Sequence, residues 1–441
     1  MSETATTEPQ TGTDPVVPAG IRWRLSVMMF LQYAILGSWS PIFAIHLDEL
    51  GIDDHGIAWI LSTIAIASIA APFIAGQIAD RYFATQRYMA LAHIIGAGLL
   101  FYAVRLDALW PLFGVMLIYC FLFVPTGALT NSLAFAHLPD PKKTFAPIRL
   151  WGTIGWVVVG WVFGMWLGRF DELVGHVSPD LAARLAPMRD LLGQRQMRDC
   201  LYLAGGLSLV LGLFSLMLPH TPPTKKAERP WAFVEAVRLM RHRDFAVLAV
   251  VVFFLATELA FYYQLSPIFF QQEVGLDKAW VPPVMTIGQI AEVVVLLLLP
   301  LSLARLGMRS TIAIGILAWP VRYGIFAIGR PRWLVLASQS LHGVCYAFFV
   351  VASQIYVDSV AEKDIRASAQ NFLAFLYMGI GKFVGNHFAG GIATHFRRNF
   401  RIVFLVPVVI TTVFLGVFLV GFRGKEAETV ESESDEEAAG S

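Results

Sequence analysis

Residues 108–137 read ALWPLFGVMLIYCFLFVPTGALTNSLAFAH, without one Asp, Glu, Lys or Arg. A helix of about 20 apolar residues crosses a ~30 Å hydrocarbon core, and this run is longer than that. Comparable runs recur along the 441-residue chain, which is 56% hydrophobic, 15% charged and has a mean hydropathy of +0.63. A soluble protein would carry about 25% charged residues. The runs are continuous and do not alternate, which argues against a β-barrel. The fold class is therefore an all-α, multi-pass membrane protein.

Polar punctuation divides the apolar sequence into twelve expected spans: 24–46, 56–79, 87–105, 108–137, 145–168, 199–219, 243–271, 279–303, 309–328, 332–357, 366–394 and 401–422. The Pro-rich, basic stretch 220–242 falls at the middle and separates two six-helix halves, 24–219 and 243–422. Residues 1–23 and the acidic, Ser-rich 423–441 read as disordered tails. The N-terminal tail lacks the basic start of a signal peptide. The outer segment 169–198 is long and has room for an amphipathic surface helix.

Lys and Arg concentrate on segments that face inward if both termini are cytoplasmic, such as Arg81, Arg87, Lys142, Lys143 and the central loop. The first outer loop, LDELGIDDHG, has four acids and no Lys or Arg. Basic residues near 330–332 and 397–398 run against this pattern. Net charge is +1, which gives no bias toward nucleic acid. The three cysteines lie in different spans without metal or redox spacing, so neither a metal nor another cofactor is expected. Nucleotide-binding, zinc-hydrolase and serine-nucleophile motifs are missing, and no loop is large enough for an ATPase domain. The chain does not read as an enzyme. Any driving force must come from an ion gradient or from the solute's own gradient.

A charge near the bilayer centre costs about 2.5–3.5 kcal/mol on insertion scales, so ionisable residues within spans need a reason. In PIRLWGTIGW (147–156), Arg149, Thr153 and Trp156 are spaced i, i+4, i+7 and share one helix face. A guanidinium fork, a hydroxyl and an indole suit a small polar ring compound. The competing reading has Arg149 snorkelling to lipid phosphates and Thr153 bonding its own helix. Gln289 and Glu292, at i, i+3, pair an amide with a carboxylate that desolvation fits for proton exchange. An interhelical hydrogen bond is the alternative. Glu258, with Tyr262 four residues on, is a second intramembrane carboxylate. His342, Tyr346, Phe349 and Ser353 form a stripe that fits either core packing or a site, and His342 titrates in the physiological range. Lys382 either pairs with a carboxylate or snorkels outward, and Gln32 and Asn131 fit interhelical hydrogen bonds.

The two halves and GQIADRYFATQR (76–87) resemble the major facilitator superfamily, with Gly76, Asp80 and Arg81 on its G-x-x-x-D-R pattern. The second-half counterpart, LARLGMRS, is degenerate. FLQYAILGSW, PIRLWGTIGW, AWPVRYGIFAIG and IRASAQ, spread over the first, fifth, ninth and eleventh spans, narrow the resemblance to the nucleoside:proton symporter family. The resemblance implies nucleoside uptake by alternating access, with substrate near the midplane between the halves. Arg149, Thr153, Gln289 and Glu292 match the family's binding positions, and Trp156 stands where it has Phe. His342 falls at a family Tyr and Tyr346 at a family Phe. Gly76, Asp80, Arg81 and Arg366 match conformational-loop positions. The family's binding Gln and Asn on the seventh span align with Ala260 and Tyr263, and an acidic residue tied to proton coupling aligns with Ala347. Glu292, Glu258 or His342 would then carry the proton. The partners implied are a nucleoside, protons and the lipid bilayer. A monomer in a bacterial inner membrane is expected. The rival readings are a uniporter or exporter of another polar ring compound, and a transporter-like sensor without flux.

Overall fold

The computed structural model describes residues 17–73, 84–169, 178, 180, 196–222, 237–361 and 366–424. Every regular element among them is helical. The first part of the chain forms α1 (Ala19–Trp39), α2 (Phe43–Glu49), α3 (Asp54–Phe73), α4 (Thr85–Ala103), α5 (Leu109–His137), α6 (Pro141–Gly164) and α7 (Asp199–Ser215). The remainder forms α8 (Arg243–Ala260), α9 (Ser266–Gln272), α10 (Val281–Met285), α11 (Ile287–Ile328), α12 (Arg332–Ala337), α13 (Leu341–Val344), α14 (Ala352–Val360), α15 (Arg366–Ala374), α16 (Lys382–His395) and α17 (Phe400–Gly421). Among the described residues, eight helical segments are long and apolar enough to cross a membrane.

One of these segments, Lys278–Ile328, is 51 residues long, far more than the ~20 that a single crossing needs. Gly307 breaks it with φ 77 and ψ 169, a conformation open to glycine and closed to most other residues. Ser302 and Thr311 hydroxyls meet across the bend at 2.9 Å. The break falls between the expected windows 279–303 and 309–328.

Small residues set how closely the helices approach. A Cβ at Gly155 of α6 would fall on the carbonyl oxygen of Phe30 in α1, so the two backbones touch there. Gln32 ties α1 to its neighbours: its Nε2 donates to Thr126 Oγ1 of α5 at 2.9 Å, and its Oε1 lies 3.0 Å from His93 Nε2 of α4. It serves as interhelical glue.

At one end of the molecule the early and late helices are locked together. Arg398 Nε donates to both Asp54 oxygens, at 3.0 and 3.1 Å, and its Nη1 bonds Asp48. Gln272 Nε2 donates to Asp48 Oδ2 at 2.8 Å, and Gln264 Nε2 to the carbonyl of Asp54 at 3.2 Å. Burial opposes the charge on Arg398, but the hydrogen bonds it donates to Asp54 and Asp48, with their negative charge, outweigh it and raise its pKa, so the guanidinium stays charged. Arg397 and Arg398 both adopt left-handed backbone, φ 49 and 53, where α16 turns toward α17. Nearby, Gly390 of α16 lies against the backbone of Asp54, and Asn386 Nδ2 donates to Ser62 Oγ at 3.2 Å.

Of the expected conformational-loop residues, Gly76, Asp80 and Arg81 lie outside the described residues, as do most of 169–198 and, of the tails, residues 1–16 and 425–441. Residues 19–23, expected as part of a disordered tail, instead form the first turn of α1. Arg366 is described, and its Nε is 3.5 Å from Asp358 Oδ1.

Candidate functional site

A cavity of about 590 Å³ lies between the early and late helices, away from the Arg398 lock. Pockets of roughly 300–1,000 Å³ are the usual size for small-molecule sites. Its wall includes Arg149, Thr153 and Trp156, all from α6. The i, i+4, i+7 spacing presents them together, and glycines on the same helix set their surroundings. A Cβ at Gly152 would sit 2.6 Å from Tyr33 Cδ2 and 2.8 Å from Arg149 Nη1. Its absence lets the guanidinium lie 3.9 Å from the Tyr33 ring centroid. Arg149 is thus held over an aromatic face, and the structure does not send it outward to lipid. Trp156 packs on Gly37 of α1, where an added Cβ would be 3.0 Å from the indole.

Gln289 and Glu292 line the cavity from α11, with His342 and Tyr346. Gly288 and Gly343 bring these two segments into backbone contact: a Cβ on Gly288 would lie 2.9 Å from that of His342, and one on Gly343 would strike the Glu292 amide. The Arg149 guanidinium and the Glu292 carboxylate belong to residues that line the same space. Gln289 Oε1, Asn131 Oδ1 and Ser353 Oγ, on residues that line the cavity, are buried without a hydrogen-bond partner among the described residues. Buried polar atoms are normally satisfied, so such orphans suit a polar ligand or bridging water.

All of the stripe His342, Tyr346, Phe349 and Ser353 lies on the cavity wall, although such a stripe is more often core packing. Tyr263 lines the cavity as well. It sits in a π-helical turn, Phe261–Leu265, that separates α8 from α9. Two further π-helical turns, Cys345–Val351 and Phe375–Gly381, contribute Tyr346 and Tyr377. Such turns recur at functional sites because they re-aim side chains out of the 3.6-residue register.

Glu258 is placed differently. It is fully buried, its Oε1 accepts from Thr257 Oγ1 at 3.2 Å, and it is not a wall residue of the cavity.

Sequence reasoning missed two residues. Arg322 is fully buried in α11, its Nη1 3.2 Å from Nδ1 of His342, with the guanidinium 4.6–5.0 Å from the ring centroids of Tyr262, Trp319 and Tyr323. Tyr262 in turn stacks on His342 at 4.6 Å and 10°. The charge in the middle of an expected span was the available signal. The second is Tyr33, which nothing in its local sequence distinguishes from a core aromatic. Lys382 requires a correction: it neither snorkels outward nor pairs with a carboxylate among the described residues, but lines the cavity wall.

The arrangement offers cationic, amide, carboxylate and aromatic groups around a space sized for a small ring compound. Sequence comparison agrees with that chemistry. The profile described as "Nucleoside H+ symporter" matches residues 19–427. A putative nucleoside transporter, YegT, from Escherichia coli K12 is 32% identical over 83% of each chain. Xanthosine permease from the same organism is 29% identical over 91% of this chain and 96% of its own. The crystal structure of the nucleoside transporter NupG superposes with a TM-score of 0.77 at 26% identity, covering 92% of this chain and all of that one. With the profile spanning nearly the whole chain and the helices following a solved relative, this multi-pass membrane protein belongs to the nucleoside H+ symporter family.

Proposed function

We propose that the chain imports nucleosides together with protons by alternating access, through the cavity described above. It works as a monomer of twelve spans in a bacterial inner membrane, with both termini cytoplasmic. The halves 24–219 and 243–422 rock about the central site, joined by 220–242, with tails before α1 and after α17. The Arg398 lock then closes the outer face, and the cavity is the inward-facing form of the site.

One observation carries this reading: Arg149, Thr153 and Trp156 from α6 share one cavity with Gln289, Glu292, His342, Tyr346 and Tyr263 from the later helices. Arg149 and Thr153 offer donors to ribose or base oxygens, and Gln289 with Glu292 brackets a donor–acceptor edge. Trp156, Tyr346 and Tyr263 supply π faces for the ring. Ala347 stands where the resemblance calls for an acid, so Glu292 takes the proton-carrying role from within the cavity. Nucleoside and proton thereby compete for, or share, one carboxylate, which is how a single site couples two fluxes.

Binding of uridine and adenosine to the purified protein, measured by calorimetry, tests the site. The reading expects saturable binding that Arg149→Ala weakens by at least about tenfold, the loss of one charge-assisted pair. Equal binding by the variant would remove Arg149 from the site, and no binding of either compound to the unaltered protein would contradict the nucleoside reading.

A further inference from the structure

Lys382 opens α16 just after the π-helical turn Phe375–Gly381, is 8% exposed, and lines the cavity. Its ammonium lies 5.5 Å from the ring centroid of Tyr263, a residue of the same wall. Its helix cannot draw back from this position. A Cβ on Gly381 would be 2.6 Å from that of Ala256, and one on Gly385 would be 2.5 Å from the Thr257 carbonyl oxygen, so α16 is pressed against α8 on both sides of the lysine.

The charged side chains of the wall are Arg149, Lys382 and Glu292. Among the described residues Glu292 is the one carboxylate on that wall, and no carboxylate forms an ion pair with Lys382. A buried ammonium is costly without an anion, and one aromatic face compensates it only in part. Two cations against one carboxylate leave the cavity with positive charge to spare beside the Tyr263 ring. Lys382 offers three donors and no acceptor, and as a charged donor it bonds an anionic oxygen or nitrogen more strongly than a neutral carbonyl.

We infer that Lys382 is a specificity-determining residue and that the cavity prefers nucleosides whose base carries a negative charge, set against the Lys382 ammonium and the Tyr263 ring. The inference rests on the nucleoside reading and names a substrate class within it.

The test compares xanthosine with inosine, two purine nucleosides of one skeleton, by calorimetric binding to the full-length purified protein. The pH is one at which xanthosine has lost its ring proton and inosine has not. Xanthosine should bind at least about tenfold more tightly. Lys382→Met should bring the affinity ratio close to one, and Lys382→Arg should keep it, because the arginine restores the charge. A ratio near one in the unaltered protein, or a preference that survives Lys382→Met, overturns the inference. If Lys382→Met binds neither compound, Lys382→Arg decides: a kept preference supports the role, and a lost one overturns it. Absence of binding by both compounds to the unaltered protein would bring down the nucleoside reading and this inference with it. That outcome differs plainly from inosine binding without preference.

Discussion

Arg322 Nη1 lies 3.2 Å from Nδ1 of His342. An arginine can only donate, so Nδ1 is the acceptor, and the neutral imidazole carries its hydrogen on Nε2. His342 is thereby fixed as a donor on the cavity wall, and a proton arriving at Nδ1 would break the contact. The pair argues for His342 as a binding residue and leaves proton carriage to Glu292. Arg322→Met, which keeps most of the volume inside the aromatic cage but removes the donor, should raise the apparent KM for nucleoside by about three- to tenfold, the range expected for one hydrogen bond. Initial-rate uptake at several concentrations reads the effect, and an unchanged KM would make Arg322 purely structural.

Arg149 and Tyr33 act as a unit. Tyr33→Leu removes the π face 3.9 Å from the guanidinium, a contact worth about 0.5–2 kcal/mol. A rise in KM of about two- to thirtyfold is expected, with little further loss when Tyr33→Leu is added to Arg149→Ala. Full additivity in that double-mutant cycle would show that Tyr33 does not work through Arg149.

The two intramembrane carboxylates should separate cleanly. Glu292→Gln is expected to abolish accumulation above equilibrium while leaving nucleoside counterflow measurable. Glu258→Gln should keep accumulation, since Glu258 is off the cavity wall and engaged by Thr257. Paired uptake and counterflow assays decide this, and the reverse pattern would transfer proton carriage to Glu258.

The Arg398 lock gives a conformational prediction. Arg398→Ala strips Asp54 and Asp48 of their shared cation, which breaks a partly buried ion-pair cluster and leaves its carboxylates unpaired. The population should shift toward the form open at the 48–54 end. A single cysteine placed at Ser40, on the cavity wall, in a background lacking Cys120, Cys200 and Cys345, reports the change. An impermeant thiol reagent added to that side should react at least about tenfold faster, the ratio set by 1.4 kcal/mol of lost closure. An unaltered rate would mean that Arg398 does not hold the face shut.

The apolar runs and the face shared by Arg149, Thr153 and Trp156 were legible because both depend on local periodicity alone. The stripe from His342 to Ser353 was legible as a stripe, but periodicity could not say whether it faced core or cavity. Lys382 was misread for a related reason. The π-helical turn Phe375–Gly381 immediately before it departs from the regular register, in which each residue turns the helix by about 100°. Its side-chain direction therefore cannot be extrapolated from the preceding helix. Arg322 escaped notice because its cage is assembled from residues 60 positions apart in sequence, Tyr262 and Arg322. The break at Gly307 could be placed from hydropathy, whereas the locking role of Arg398 depends on contacts to Asp48 and Asp54 some 350 residues away.

The most direct test of the account is uptake of labelled uridine and adenosine into proteoliposomes holding only this chain, with and without an inward proton gradient. The account predicts accumulation above equilibrium that appears with the gradient and collapses when a protonophore is added. Flux that merely equilibrates under both conditions would contradict proton coupling, and absence of flux would contradict nucleoside transport itself.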